Sequence, residues 1–249
     1  YVMERVQGVI IRGDGGKAKE LDKKTVYKIA DSLMDTMVEL HGLDYEKIGL
    51  GNLGRPEGYV TRQIVGWSKR YQKAKTDDIP SSETVMKWLN ENIPAESGAS
   101  LIHNDYKHDN VVLDANDLTK VKAILDWEMC TLGDPLMDLG GTMAYWMNGD
   151  DPDMMSKAFP NPSLMEGNPS RGEMLELYAQ KSGRDVSNFV FYYVYGLFKL
   201  AVILQQIYYR YHHGHTQDKR FKYFNKMVES LCIIAARAME KKRIEIQLK

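Results

Sequence analysis

The run over residues 189–204 constrains the fold more than any other part of the chain. It is almost wholly apolar, with Lys199 as its one charged residue. A bilayer helix needs about 20 consecutive apolar residues. Here Lys199 interrupts the run, Gln205 and Gln206 end it, and five tyrosines lie from Tyr192 to Tyr209. We therefore read it as the buried helix of a soluble core. With 249 residues, 43% apolar and 27% charged, the chain is long enough to build such a core.

The surroundings of that helix are mostly helical too. Val26, Ile29, Ala30, Leu33, Met37 and Leu40 recur in steps of three and four, which predicts an amphipathic helix over 23–40. Further helices are expected over 59–71, 83–89, 172–181, 186–211 and 218–242. Residues 150–171 read as a long loop with four prolines. Short strand-like runs sit at 1–11, 101–102, 111–113 and 121–125. The expected fold class is α+β, a mostly helical body with a small β element at its centre.

Charge and cysteine content narrow the function classes. Lys+Arg is 33 against 34 Asp+Glu, a net charge of −1, which argues against a nucleic-acid binder. Cys130 and Cys232 are too few for a disulfide framework and lack metal-ligand spacing. Glu4 and Arg5 break the only apolar stretch near the start, so no signal peptide is visible. A reducing, cytoplasmic setting is the expectation.

The chemistry lies in His103-Asn104-Asp105-Tyr106-Lys107-His108-Asp109-Asn110 and in Ile124-Leu125-Asp126-Trp127-Glu128. Between them the pattern is that of a hairpin. Asn110 and Asp126 are symmetric about residue 118, inside its turn. A regular hairpin would set the two opposite each other at its open end. Asp105 would then be a short loop away. An amide and a carboxylate placed so suit Mg²⁺, which takes one or two carboxylates and completes its shell with substrate phosphates. Asp105 would be left to orient an attacking hydroxyl, the division of labour in kinase-type phosphoryl transfer.

At these residues the chain resembles the aminoglycoside phosphotransferase-like family of the protein-kinase-like fold. His103-x-Asp105 with Asn110, then Ile124-Leu125-Asp126, carry the likeness. Thr131-Leu132-Gly133-Asp134-Pro135 leading into Asp138-Leu139 supports it. Gly54-Arg55-Pro56-Glu57-Gly58 and Pro169-Ser170-Arg171 point to the subfamily related to the kinase-like domain fused to acyl-CoA dehydrogenases. The resemblance implies an ATP- and Mg²⁺-dependent phosphotransferase acting on a small-molecule hydroxyl, with a hydroxyacyl-CoA-type acceptor as first choice. The alternatives are a non-catalytic nucleotide-binding protein and an aminoglycoside phosphotransferase. It further implies Asp105 as catalytic base, Lys107 near the transferred group, and Asn110 and Asp126 as metal ligands. Met3, Glu4 and Val6 resemble a hinge that meets adenine through the backbone. On this reading residues 1–12 end an N-terminal lobe and 13–249 form the C-terminal lobe. No Gly-rich phosphate loop or lysine-bearing strand precedes the hinge, so these residues alone are expected to bind ATP poorly.

Other groups have plainer readings. Asp134 before Pro135 is a helix N-cap. Asp138 is either a first-turn acid or a brace for the catalytic loop. His103 is a structural histidine. Glu128 is expected beyond the metal's own ligands or at the surface. Trp67, Trp88, Trp127 and Trp146 are core residues. His212-His213-Gly214-His215 is a solvated loop. Lys199 and Arg210 either meet an acidic part of the substrate, form buried ion pairs, or snorkel.

Overall fold

The computed structural model describes residues 4–13, 16–149, 151 and 161–245. Helices α1 (Lys23–Gly42), α2 (Tyr59–Ala74) and α3 (Pro80–Glu91) come first. Four short strands follow: β1 (Ser100–Ile102), β2 (Val111–Leu113), β3 (Val121–Ile124) and β4 (Thr131–Gly133). The chain then returns to helix in α4 (Pro135–Tyr145), α5 (Arg171–Ser182), α6 (Phe189–His212) and α7 (Phe224–Lys241).

The apolar run forms the centre of α6, and 78% of its most apolar window is buried. It packs mainly against α7 and α4, which accounts for its hydropathy. Contact with α4 is close because two glycines meet. A Cβ on Gly140 would stand 2.2 Å from the Tyr192 carbonyl oxygen. One on Gly196 would stand 2.1 Å from the Gly140 carbonyl oxygen. No side chain fits at either point.

The strands form two antiparallel pairs, β2 with β3 and β1 with β4. The second pair was not foreseen, because three residues such as Thr131–Gly133 carry too little alternation to read. It ties the entry of the catalytic loop to the start of α4. At the other edge, Val9 exchanges two backbone hydrogen bonds with Leu113, at 2.9 and 2.8 Å. That single bridge is what the described residues show of the expected strand over 1–11. Two helix boundaries also moved. Pro80 opens α3 as its first helical residue, and a 3-10 turn over Lys219–Tyr223 precedes α7. Of the expected loop over 150–171, residues 150 and 152–160 lie outside the described ones.

Candidate active site

The catalytic loop leaves β1 at Ile102 and enters β2 at Val111. Its backbone is anchored from below by Asp138, in the first turn of α4. One Asp138 oxygen accepts the His103 N–H at 2.8 Å and the other the Asn104 N–H at 2.7 Å. His41 Nε2 meets the same carboxylate at 3.2 Å, and His41 Nδ1 meets the Tyr178 hydroxyl at 2.9 Å. Burial pushes the Asp138 carboxyl pKa up, but the His41 hydrogen bond and charge and the His103 amide outweigh it, so the net shift is downward. Asp138 is thus both a first-turn acid and a loop brace. Asp134 caps α4 through the Leu136 N–H at 2.9 Å and also accepts from Ser97.

Asp105 is a quarter exposed, and its carboxylate has two protein partners. Lys107 Nζ lies 2.6 and 2.5 Å from its two oxygens. Asn110 Nδ2 donates to Oδ2 at 2.9 Å and to the Asp105 backbone carbonyl at 2.8 Å. Lys107 also stands 4.8 Å over the Tyr145 ring. A carboxylate has about four lone-pair sites, so a hydroxyl can still reach Asp105. With its nitrogen committed, the buried Asn110 has an amide oxygen without a partner among the described residues.

His103 couples this loop to the other half of the site. Its Nδ1 accepts the Asp105 N–H at 3.2 Å, while Nε2–H donates to the Leu125 carbonyl at 2.8 Å. That pair of bonds requires a neutral ring with its proton on Nε2.

Asp126 lies one step off the expected register. Val111 pairs with Ile124, and the Leu125 N–H donates to the Asn110 carbonyl at 2.7 Å. Asn110 therefore faces Leu125, and Asp126 follows it. The cause is the turn, which centres on residue 117 with Leu113 opposite Val121; the irregularity between Val112 and Leu113 then recovers one of the two residues of offset. Asp126 then adopts φ 67° and ψ 54°. This left-handed turn breaks strand alternation and leaves its carboxylate exposed, without a protein partner among the described residues.

The donor set fits Mg²⁺. The free Asn110 oxygen and the free Asp126 carboxylate are hard oxygen ligands on adjoining positions of one hairpin end. Among the described residues no group of three or more His, Cys, Asp or Glu side chains could enclose a metal alone. A cation held here takes the rest of its shell from phosphates and water.

Asn104 was not singled out by its type. It sits at φ 67°, a conformation that Asn tolerates better than most residues. Its Oδ1 accepts from the Tyr59 hydroxyl at 3.1 Å and its Nδ2 donates to the Met129 carbonyl at 3.0 Å. Lys199 Nζ donates to its backbone carbonyl at 2.7 Å. Lys199 is buried and Arg210 is exposed, so the two do not act on one ligand. Trp127 is 40% exposed rather than core, its indole nitrogen donating to the Ile124 carbonyl at 2.8 Å. Glu128 is exposed, and His213 stacks on Tyr209 at the end of α6.

Of the hinge residues, Met3 lies outside the described residues. Glu4 is exposed and Val6 half-buried. Among the described residues no hydrogen bond engages the Glu4 carbonyl or the Val6 amide.

A cavity of about 350 Å³ opens beside the catalytic loop. Met34 and Met37 of α1, Met174 of α5 and Leu204 of α6 form its apolar wall, and Lys107 and His108 stand at its polar side. His108 stacks on Trp146 with centroids 5.0 Å apart, and burial pulls its pKa down to about 4. This places a pocket of ligand size against Lys107, the ion-pair partner of Asp105.

Residues 1–159 match the phosphotransferase enzyme family known as APH. The chain belongs to that family. Among curated relatives, acyl-CoA dehydrogenase family member 11 of Gallus gallus is 33% identical over 236 residues, covering 93% of this chain. The chain spans 30% of the length of that relative. A provisionally named aminoglycoside phosphotransferase from Ralstonia eutropha JMP134 superposes with a TM-score of 0.81 at 29% identity, over 94% of this chain and 72% of its own. A choline kinase from Cryptosporidium parvum superposes with a TM-score of 0.60 at 11% identity, over 96% of this chain and 71% of its own, a likeness of fold alone. The chain has the protein-kinase-like α+β fold expected from its motifs, and its relatives include the dehydrogenase-fused subfamily.

Proposed function

We propose that this chain carries out ATP- and Mg²⁺-dependent phosphorylation of a hydroxyl on a small molecule. The observation that carries this reading is the double use of Asn110. Its amide nitrogen orients the Asp105 carboxylate, and its amide oxygen stays free on the strand end that adjoins Asp126. Asp105 orients the acceptor hydroxyl and takes its proton late in a loose transition state. Lys107 balances the Asp105 charge in the substrate-free site and is the cation at hand for the transferred group. Asn110 and Asp126 would hold Mg²⁺, which supplies charge neutralisation at the phosphates. The Glu4 carbonyl and Val6 amide, without hydrogen bonds among the described residues, suit an adenine edge, and Met3 precedes them in the sequence. Residues 1–12 then act as the hinge side and 13–249 as the C-terminal lobe.

The apolar wall of the cavity favours an acceptor with an apolar body. That suits a hydroxyacyl-CoA-type molecule better than a polycationic aminoglycoside, which calls for several carboxylates. The relatives named as acyl-CoA dehydrogenases point the same way. The unpaired Cys130 and Cys232 agree with a cytoplasmic protein.

The test is Mg²⁺-dependent ADP release from ATP by the gene-length protein, with pooled hydroxylated acceptors that include hydroxyacyl-CoAs. We expect acceptor-dependent release that falls about 10³-fold in Asp105→Ala. Release equal in the wild type and Asp105→Ala would remove Asp105 as the base. No release with any acceptor would leave a nucleotide-binding protein without turnover.

A further inference from the structure

Lys199 stands near the middle of α6, in the most apolar stretch of the chain, and is 8% exposed. Burying an ammonium is costly unless a carboxylate answers it. Among the described residues none forms an ion pair with Lys199. Its Nζ donates to the Asn104 carbonyl at 2.7 Å and lies 5.8 Å from the centre of the Trp67 ring. Burial lowers its proton affinity below that of an ordinary lysine, opposed by the charges of Asp138 and Asp105.

The peptide it grips is the one that links Asn104 to Asp105. On the near side, Asp138 already holds the amides of His103 and Asn104. Asn104 between them is in the left-handed region at φ 67°. A carbonyl released from Lys199 would be free to relax that turn, and Asp105 would move with it. A displacement of about 1 Å at a reacting group costs about 10²-fold in rate.

We propose that Lys199 is a positioning residue for phosphoryl transfer: it holds the Asn104 carbonyl from α6 while Asp138 holds the flanking amides from α4, and together they fix the peptide that carries Asp105. The proposal rests on the reading of Asp105 as the base. It also explains why a lysine occupies this place. A methionine of similar length would pack in the same apolar surroundings without the desolvation cost, so stability alone gives lysine no advantage.

The experiment compares the full chain with Lys199→Met and with Lys199→Gln, the second in case the first does not fold. Three readouts are taken: ligand-free amide exchange of the segment 103–106, the thermal midpoint, and Mg²⁺-dependent ADP release. The expected result is exchange at least about tenfold faster in that segment, with α6 itself as protected as before. The midpoint should be unchanged or higher. The kcat should fall about 10²-fold with the KM for ATP within about twofold. Unchanged exchange over 103–106 in a folded variant overturns the proposal. So does a lowered midpoint with faster exchange along all of α6, which would make Lys199 a packing residue only. If the wild type itself releases no ADP, the phosphotransferase reading fails, while exchange and melting still judge the clamp.

Discussion

Asn104 and Asp126 both stand at φ 67°, one on each side of the site. Around Asn104 every polar group is taken. Asp138 holds its amide, Lys199 its carbonyl, and Tyr59 and Met129 its side chain. Around Asp126 the neighbours are anchored, by Trp127 on Ile124 and by the Leu125 carbonyl on His103, but its own carboxylate is left bare. One backbone conformation therefore serves opposite ends. On the Asp105 side it locks a loop, and on the other it presents a bare carboxylate. The difference fits the proposed roles: a proton acceptor must be held in place before the reaction begins, whereas a metal ligand must stay open until its cation arrives with the phosphates.

The sharpest way to break the contrast is Asp138→Ala, which strips the gripped side of its anchor. It leaves three buried donors without an acceptor and should cost about 3–5 kcal/mol. By thermal melting the midpoint should fall by about 10 °C. The same carboxylate gives a pH signature. Its folded pKa is depressed, so its contribution is complete above the unfolded value of about 4 and is lost as pH falls through the folded value. Urea unfolding between pH 6 and pH 2 should therefore show a shallower acid branch in Asp138→Asn than in the wild type.

On the open side, Asp126→Ala should leave the thermal midpoint within about 1 °C, because the side chain is exposed and its carboxylate has no partner among the described residues. ADP release should fall about 10²-fold, and raising Mg²⁺ should recover part of it. A large drop in melting temperature would show that Asp126 is a structural residue and would end the comparison.

A smaller effect tests the cavity edge of the gripped loop. His108 is held neutral, with its pKa at about 4 against about 6.5 in an unfolded chain. Between those values the unfolded state binds the extra proton, so stability falls as pH is lowered through this window. The loss should be about 2 kcal/mol, allowing for water in the cavity, and His108→Phe should abolish it. Chemical denaturation at pH 7 and pH 4.5 would measure both.

The smallest effects compare the two left-handed residues directly. Asn104→Gly keeps the backbone state but loses two hydrogen bonds and should destabilise by about 1–2 kcal/mol. Asp126→Gly relieves a strained position and should stabilise by about 0.5 kcal/mol. Equal signs in the two melting curves would refute the distinction.

The sequence was most readable where apolar residues recur in steps of three and four. The helix expected over 23–40 matches Lys23–Gly42, and the run at 189–204 does become the core of α6. The site was readable as a set of residues, since oxygen-bearing side chains clustered around one hairpin. Its register was not. The turn centres on residue 117 rather than 118, and the irregularity at Val112 and Leu113, with no glycine or proline to announce it, recovers only one of the two residues of offset. The role of Lys199 was hidden for another reason. Its partner is a backbone carbonyl 95 residues away, and a carbonyl is present at every position. Trp127 misled by type, since an indole is usually buried, yet its place in a tight turn keeps it near solvent.

The meeting of Gly140 and Gly196 bears on all of this. Asp138 precedes Gly140 by two residues, and Lys199 follows Gly196 by three. Each anchor therefore lies within one helical turn of the place where α4 and α6 touch. Under the proposed roles, the gap between two helix axes becomes a working dimension of the reaction. A single added methyl at either glycine, distant from any substrate, would spread the two bars of this jig and loosen both grips on the loop at once.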